Sequence, residues 1–147
     1  MRFSIFGVPV HVQPGFWLMA GLLGLEWVTG RQPDFVGFAI WVAVVFVSVM
    51  VHEMGHAIAI RRKGIAPAIS LHMMGGLTTW RDGHKLSRSS RIFISFAGPL
   101  AGFVLGGTVF AFQSAAPSSF AALPLPAQFA VDLLVYVNIF WGLINLI

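Results

Sequence analysis

The sequence predicts an all-α polytopic membrane protein, with about four transmembrane helices and a small membrane-dipping β-hairpin. Three observations predict it. Of the 147 residues, 57% are hydrophobic and 10% charged, against about 25% charged in a typical soluble domain, so the chain could not cover its own surface in water. Four apolar segments, residues 16–28, 35–60, 92–112 and 129–147, approach or reach the roughly 20 residues that a helix needs to cross a bilayer. Between the second and third, residues 65–80 hold two short strand-like runs flanking Gly75-Gly76, a hairpin signature.

Each element has its own justification. Residues 3–12 alternate like a strand and contain Pro9, and no cleavable signal pattern follows Met1-Arg2. The first apolar segment is short for a span, holds Glu26 and has Trp17 and Trp27 near its ends, so it crosses only if its flanks join it. The second is long and nearly uniform, interrupted only by Ser48 and the cluster His52-Glu53-x-x-His56. The hairpin is too apolar for a cytosolic loop and is expected to dip into the membrane, where irregular backbone is tolerated only under protein or in a water-filled cavity. Residues 81–91 are basic and Ser-rich, and residues 115–128 form an uncharged Pro/Ala/Ser-rich connector. The third span carries no charge, and the fourth holds Asp132 near its start with Asn138 and Asn145 deeper in. No internal repeat or second domain is visible, so residues 1–147 read as one domain.

Charge sets the expected orientation. Arg2, Arg61, Arg62, Lys63, Arg81, Lys85, Arg88 and Arg91 fall on one side of a four-span arrangement, and only Arg31 on the other. The positive-inside rule then places both termini in the cytoplasm. The net charge of +4 comes from residues flanking apolar segments, not from one basic face, so a lipid bilayer is expected as partner and nucleic acid is not. Cysteine is absent, which excludes disulfides and thiolate metal sites and leaves His, Asp and Glu as ligands.

The chemistry centres on His52-Glu53-Met54-Gly55-His56. Four residues make slightly more than one helical turn, so both imidazoles leave one face and can share a metal, with zinc the best match. Glu53 stands about 100° round the helix, near enough to reach a metal-bound water without itself binding the metal. That arrangement serves zinc-assisted peptide hydrolysis, with Glu53 taking the water's proton and passing it to the leaving amine. A purely structural role would need partners for three ionisable groups within one turn of an apolar span, at about 2.5–3.5 kcal/mol for a charged residue in mid-membrane. Catalytic zinc usually takes three protein ligands. The candidates for a third are His72, Asp132, Asp82 and Glu26; Asp132 and Glu26 lie towards the outer side, and a lone His on a hairpin is more often hydrogen-bonded than ligating.

The order of motifs carries a family resemblance. Phe6-Gly7-Val8-Pro9-Val10-His11 opens the chain, the His-Glu motif lies within a span, and Gly75-Gly76 follows in an apolar hairpin. Then come Phe96-Ala97-Gly98-Pro99 and finally Asn145-Leu146-Ile147. In this order the chain resembles the site-2 protease family of membrane-embedded zinc metallopeptidases along its whole length. The resemblance implies that His52 and His56 are zinc ligands, Glu53 the catalytic base, and Asn145 an amide near the metal that helps hold substrate or oxyanion. It also implies that the Gly75-Gly76 hairpin binds an unwound substrate by strand addition. A polar contact between helices is the plain alternative for Asn145 and the better one for Asn138. The stripe of Gly98, Gly102 and Gly106 reads as helix packing.

The family takes its third zinc ligand from a Leu-Asp-Gly motif shortly after the segment matched by Asn145-Leu146-Ile147, and this sequence stops before it. The expectation is therefore the front part of a longer protease domain. The leading functional reading is an intramembrane zinc endopeptidase that cleaves transmembrane segments of membrane-tethered regulatory proteins, in a prokaryotic plasma membrane. A non-enzymatic relative that binds membrane helices is the alternative. A metal transporter fits less well, because the third span offers only Ser95 and Thr108 as polar side chains.

Overall fold

The computed structural model describes residues 1–80 and 86–146. Arg81, Asp82 and Lys85, used above for orientation and ligation, and Ile147 lie outside the described residues. In chain order the elements are β1 (Arg2–Ile5), β2 (Val8–Val12), α1 (Pro14–Leu23), α2 (Glu26–Thr29), α3 (Phe35–Arg61), β3 (Pro67–His72), β4 (Gly75–Trp80), α4 (Arg88–Ala115), α5 (Pro117–Ala121) and α6 (Leu125–Ile144).

Among the described residues three helices, α3, α4 and α6, are long and apolar enough to cross a membrane. The 27 residues of α3 run about 40 Å at 1.5 Å per residue. Its start is fixed by Asp34, whose carboxylate accepts from the Gly37 amide at 2.8 Å, an N-cap. Ser87 caps α4 in the same way, accepting from the Ser90 amide at 3.3 Å. Past the other end of α3, Gly64 at φ +75 turns the chain back towards the sheet.

The first apolar segment, expected as a fourth span, holds no single helix of spanning length. Its main helix, α1, has ten residues, about 15 Å, and stops at Gly24. A Cβ at residue 24 would stand 2.6 Å from the Trp41 ring, and the same indole donates to the Ala20 carbonyl at 3.0 Å. The broken segment still runs beside α3, with Phe16 against Phe46 and Trp27 against Gly37. Because α1 begins at the level of Phe46, it starts roughly 22 Å along α3 from Arg61. The β-strands cover the preceding stretch, so no full-length helix is needed there.

The predicted hairpin is half of a larger structure, a four-stranded sheet in the order β1-β2-β3-β4. Residues 3–12 supply the other half. Phe6 at φ 49 and Gly7 at φ 76 make the two-residue turn whose double left-handed backbone matches strand twist. β2 then pairs parallel with β3 through Val10↔Ile69, His11↔Ser70 and Val12↔Leu71. Pro9 precedes this ladder, so its missing N–H leaves no gap in it. In β3–β4 the register pairs His72 with Gly75, which makes Met73-Met74 the turn and puts Gly75-Gly76 at the start of β4. That corrects the expected hairpin, in which the two glycines formed the turn.

The inward face of the sheet, Val8, Val10, Val12, Ile69 and Leu71, packs with Phe16, Val49, Met50 and Ala57 into the main core. Arg61 donates to the Phe6 carbonyl and ties the first turn to the basic end of α3. On the other side, Val44 of α3 packs with Leu133 and Val137 of α6. Asn138 of α6 donates to the Ser48 hydroxyl at 2.9 Å and to the Leu134 carbonyl at 2.8 Å, so it is the interhelical polar contact that its sequence context suggested. Gly102 and Gly106 of α4 lie against it. Replacing Asn138 by Ala removes its hydrogen bond from α6 to Ser48 of α3. Unfolding in detergent, followed by circular dichroism, is expected to show a loss of about 0.5–2 kcal/mol.

Candidate metal centre

α3 carries His52, Glu53 and His56 on adjacent positions of one turn, and their ligand atoms all lie within 4.8 Å of one another. Among the described residues this is the group of His, Asp and Glu side chains arranged to share an ion. The two Nε2 atoms face each other at 3.1 Å. Two zinc–imidazole bonds of about 2.1 Å at a tetrahedral angle set the nitrogens about 3.4 Å apart, so the pair fits that ion with little adjustment. The ring of His56 is held from behind: its Nδ1 lies 2.7 Å from the Ile94 carbonyl of α4. A carbonyl accepts only, so Nδ1 carries the proton and Nε2 presents its lone pair, as metal-bound histidines require.

Glu53 is buried, and its carboxylate accepts a hydrogen bond from the sheet. Thr78 of β4 donates to Oε2 at 2.6 Å, with the Glu53 backbone carbonyl 3.1 Å from the same hydroxyl. Gly76, two residues earlier and therefore on the same face of the strand, makes room for the carboxylate: a Cβ there would collide with it. Sequence reasoning singled out Gly76 but missed Thr78. The period-2 relation of Gly76 to Thr78 was the one available signal. The Ile94 carbonyl, a backbone group, left none.

A small cavity of about 130 Å³ opens on this group, lined by Val49, His52, Glu53, Met74, Gly75, Gly76, Trp141, Ile144 and Asn145. The structure thus gathers His52, Glu53, Gly75, Gly76 and Asn145 about one space, with His56 behind His52 and off the cavity's lining. Asn145 stands exposed at its rim as the C-cap of α6, with its amide donated to the Trp141 carbonyl at 2.8 Å. Of the other ligand candidates, Asp82 lies outside the described residues, and His72, Asp132 and Glu26 do not join this group. His72 ends β3 and accepts from the Met74 amide at 3.2 Å. Asp132 lies near the opposite end of α6 from Asn145 and accepts from Gln113 at 2.7 Å, and Glu26 opens α2.

With this geometry in view, comparison with known proteins becomes specific. The sequence model of peptidase family M50 matches residues 40–147. The chain belongs to peptidase family M50. This M50 chain is 30% identical to a protein named as a zinc metalloprotease of Synechocystis sp., over 98% of its own length and 39% of the relative's. It is 28% identical to a zinc metalloprotease of Methanocaldococcus jannaschii, over 71% of its length and 29% of that protein's. It therefore spans less than half the length of the curated relatives it matches. Its fold superposes on the site-2 protease from Methanocaldococcus jannaschii with a TM-score of 0.67 at 26% identity, covering 100% of this chain and 64% of that one. The site-2 protease resemblance read from the sequence is thus correct, and both curated relatives carry the name of zinc metalloprotease.

The M50 assignment and the facing nitrogens yield a direct expectation. His52→Ala or His56→Ala should each lower the zinc held per purified chain by at least about tenfold, measured by mass spectrometry of the metal after dialysis against a weak chelator. His72→Ala should leave the zinc content unchanged.

Proposed function

We propose that this protein is an intramembrane zinc endopeptidase that cleaves transmembrane segments of membrane-tethered regulatory proteins. The observation that carries the reading is the position of the His52-Glu53-His56 group: it is packed within an apolar helix of spanning length. Glu53 lies eight residues before Arg61, about 12 Å along the helix. A hydrolytic group at that depth meets peptide bonds that are themselves within the membrane.

Zinc held by His52 and His56 would supply a polarised water and a polarised scissile carbonyl. In this reading Glu53 is the general base: it accepts the water's proton and returns it to the leaving amine. Thr78 pins Oε2 by its hydroxyl, so the carboxylate keeps one orientation and presents Oε1 on the open side facing Gly76. The substrate must reach the site in extended form, because helical peptide bonds are shielded by their own hydrogen bonds. β4 is an edge strand of the sheet, and strand addition along it is the recognition mode that the reading assigns to Gly75 and Gly76. Asn145, at the rim of the same cavity, is assigned the support of substrate or oxyanion. Residues 1–147 form one metalloprotease core in this reading, set in a prokaryotic plasma membrane with both termini on the cytoplasmic side.

A second reading is favoured by the ligand set. Among the described residues the cluster offers two imidazoles and Glu53, whereas catalytic zinc usually takes three protein ligands. A relative that binds membrane helices without cutting them would need no more.

Glu53→Gln separates the two. For a protease, the variant in reconstituted vesicles should keep its zinc and its fold but lose cleavage of a tagged transmembrane substrate by at least about a hundredfold. A helix-binding protein would retain the same co-purification with membrane helices in both forms and would cut in neither.

A further inference from the structure

The three small residues at positions 98, 102 and 106 do not share one task. Gly102 and Gly106 face α6, where an added Cβ would meet Asn138 at 3.5 Å and 3.2 Å. Gly98 faces the metal-binding nitrogens instead. A Cβ built on it would collide with His56 Nε2 and stand 2.7 Å from His52 Nε2. It would fill the space that both nitrogens border.

The same stretch of α4 holds the site in a second way. Ile94, one helical turn before Gly98 and on the same face, offers the carbonyl that accepts from His56 Nδ1 at 2.7 Å. One residue thus holds His56 from behind while the other leaves space in front of its Nε2. Gly55 lets α4 come this close, because a Cβ at that position would collide with the Ala97 carbonyl and lie 2.8 Å from the Ala101 Cβ. Pro99 follows directly and offers no N–H to the turn before it.

We propose that Gly98 is a metal-positioning residue: its missing side chain is coordination space for the ion shared by His52 and His56. Any larger residue there either expels the ion or displaces one imidazole. The inference rests on the metal-site reading but assigns a different residue, on a different helix, a task that helix packing does not require.

The test uses Gly98→Ala and Gly102→Ala in the full-length protein, purified in detergent and loaded with zinc or cobalt. Gly98→Ala should lower bound zinc at least about tenfold and shift or abolish the visible d–d bands of the cobalt form, with helical content unchanged. Gly102→Ala, the same change one turn on, should leave both readouts as in the wild type. Equal zinc affinity in wild type and Gly98→Ala would overturn the assignment. Absence of zinc from the wild type itself would instead sink the metal-site reading beneath it. Should Gly98→Ala fail to fold, it is compared in the His52→Ala/His56→Ala background. If the collision with the imidazoles is the cause, Gly98→Ala folds there as well as its parent; if it misfolds there too, packing is the cause and the assignment is wrong.

Discussion

The backbones of α3 and α4 meet where Gly55 lies against the Ala97 carbonyl, with no room for even a methyl group between them. Much of the site follows from that contact. It brings the Ile94 carbonyl within 2.7 Å of His56, and it sets Gly98 opposite both imidazoles. Close approach through glycine and alanine is how helices associate in a medium where lipid tails are as apolar as leucine. Gly55, the fourth residue of the metal motif, is therefore structural in the same turn in which His52, Glu53 and His56 are chemical. A substitution at Gly55 acts on the ligands without touching either of them.

The sheet answers a different constraint. A carboxylate inside an apolar helix needs a hydrogen-bond donor that the helix cannot supply, because its own amides are already paired. β4 brings one in the form of Thr78, and Gly76 lets the strand lie flat against the acid. β4 in turn is held by β3, and β3 by the buried valines of β2. A chain of packing thus runs from the first residues of the protein to the carboxylate of Glu53. The N-terminal strands are part of the site's support, although no residue of theirs lines its cavity.

The legible parts of the molecule were those encoded within one element. The spans of α3, α4 and α6, the His-Glu pair on a single helical turn, and the interhelical role of Asn138 all follow from local spacing. What escaped were relations between distant segments. The parallel pairing of Val10 with Ile69 leaves no mark on either strand beyond alternation, so residues 3–12 read as a strand while their place in one sheet with the hairpin went unseen. The turn at Met73-Met74 was hidden by the stronger turn signal of two adjacent glycines, one of which serves Glu53 instead. The first apolar segment resembled a span because composition does not reveal that Trp41 fills the space beside Gly24. Gly98 looked like the glycines four and eight residues further on, since only the position of α3 distinguishes them.

The parallel ladder between β2 and β3 has a consequence for how the protein is made. About sixty residues separate Val10 from its partner Ile69, and the chain grows at roughly 5–20 residues per second. The first hairpin therefore leaves the ribosome about 3–12 seconds before its partner strand exists. During that interval α3 can insert with Glu53 still uncovered, since Thr78 lies nine residues beyond Ile69. The site then closes in the order of synthesis: β4 covers the acid first, and the imidazoles stay open until α4 and α6 bring Ile94, Gly98 and Asn145 to them.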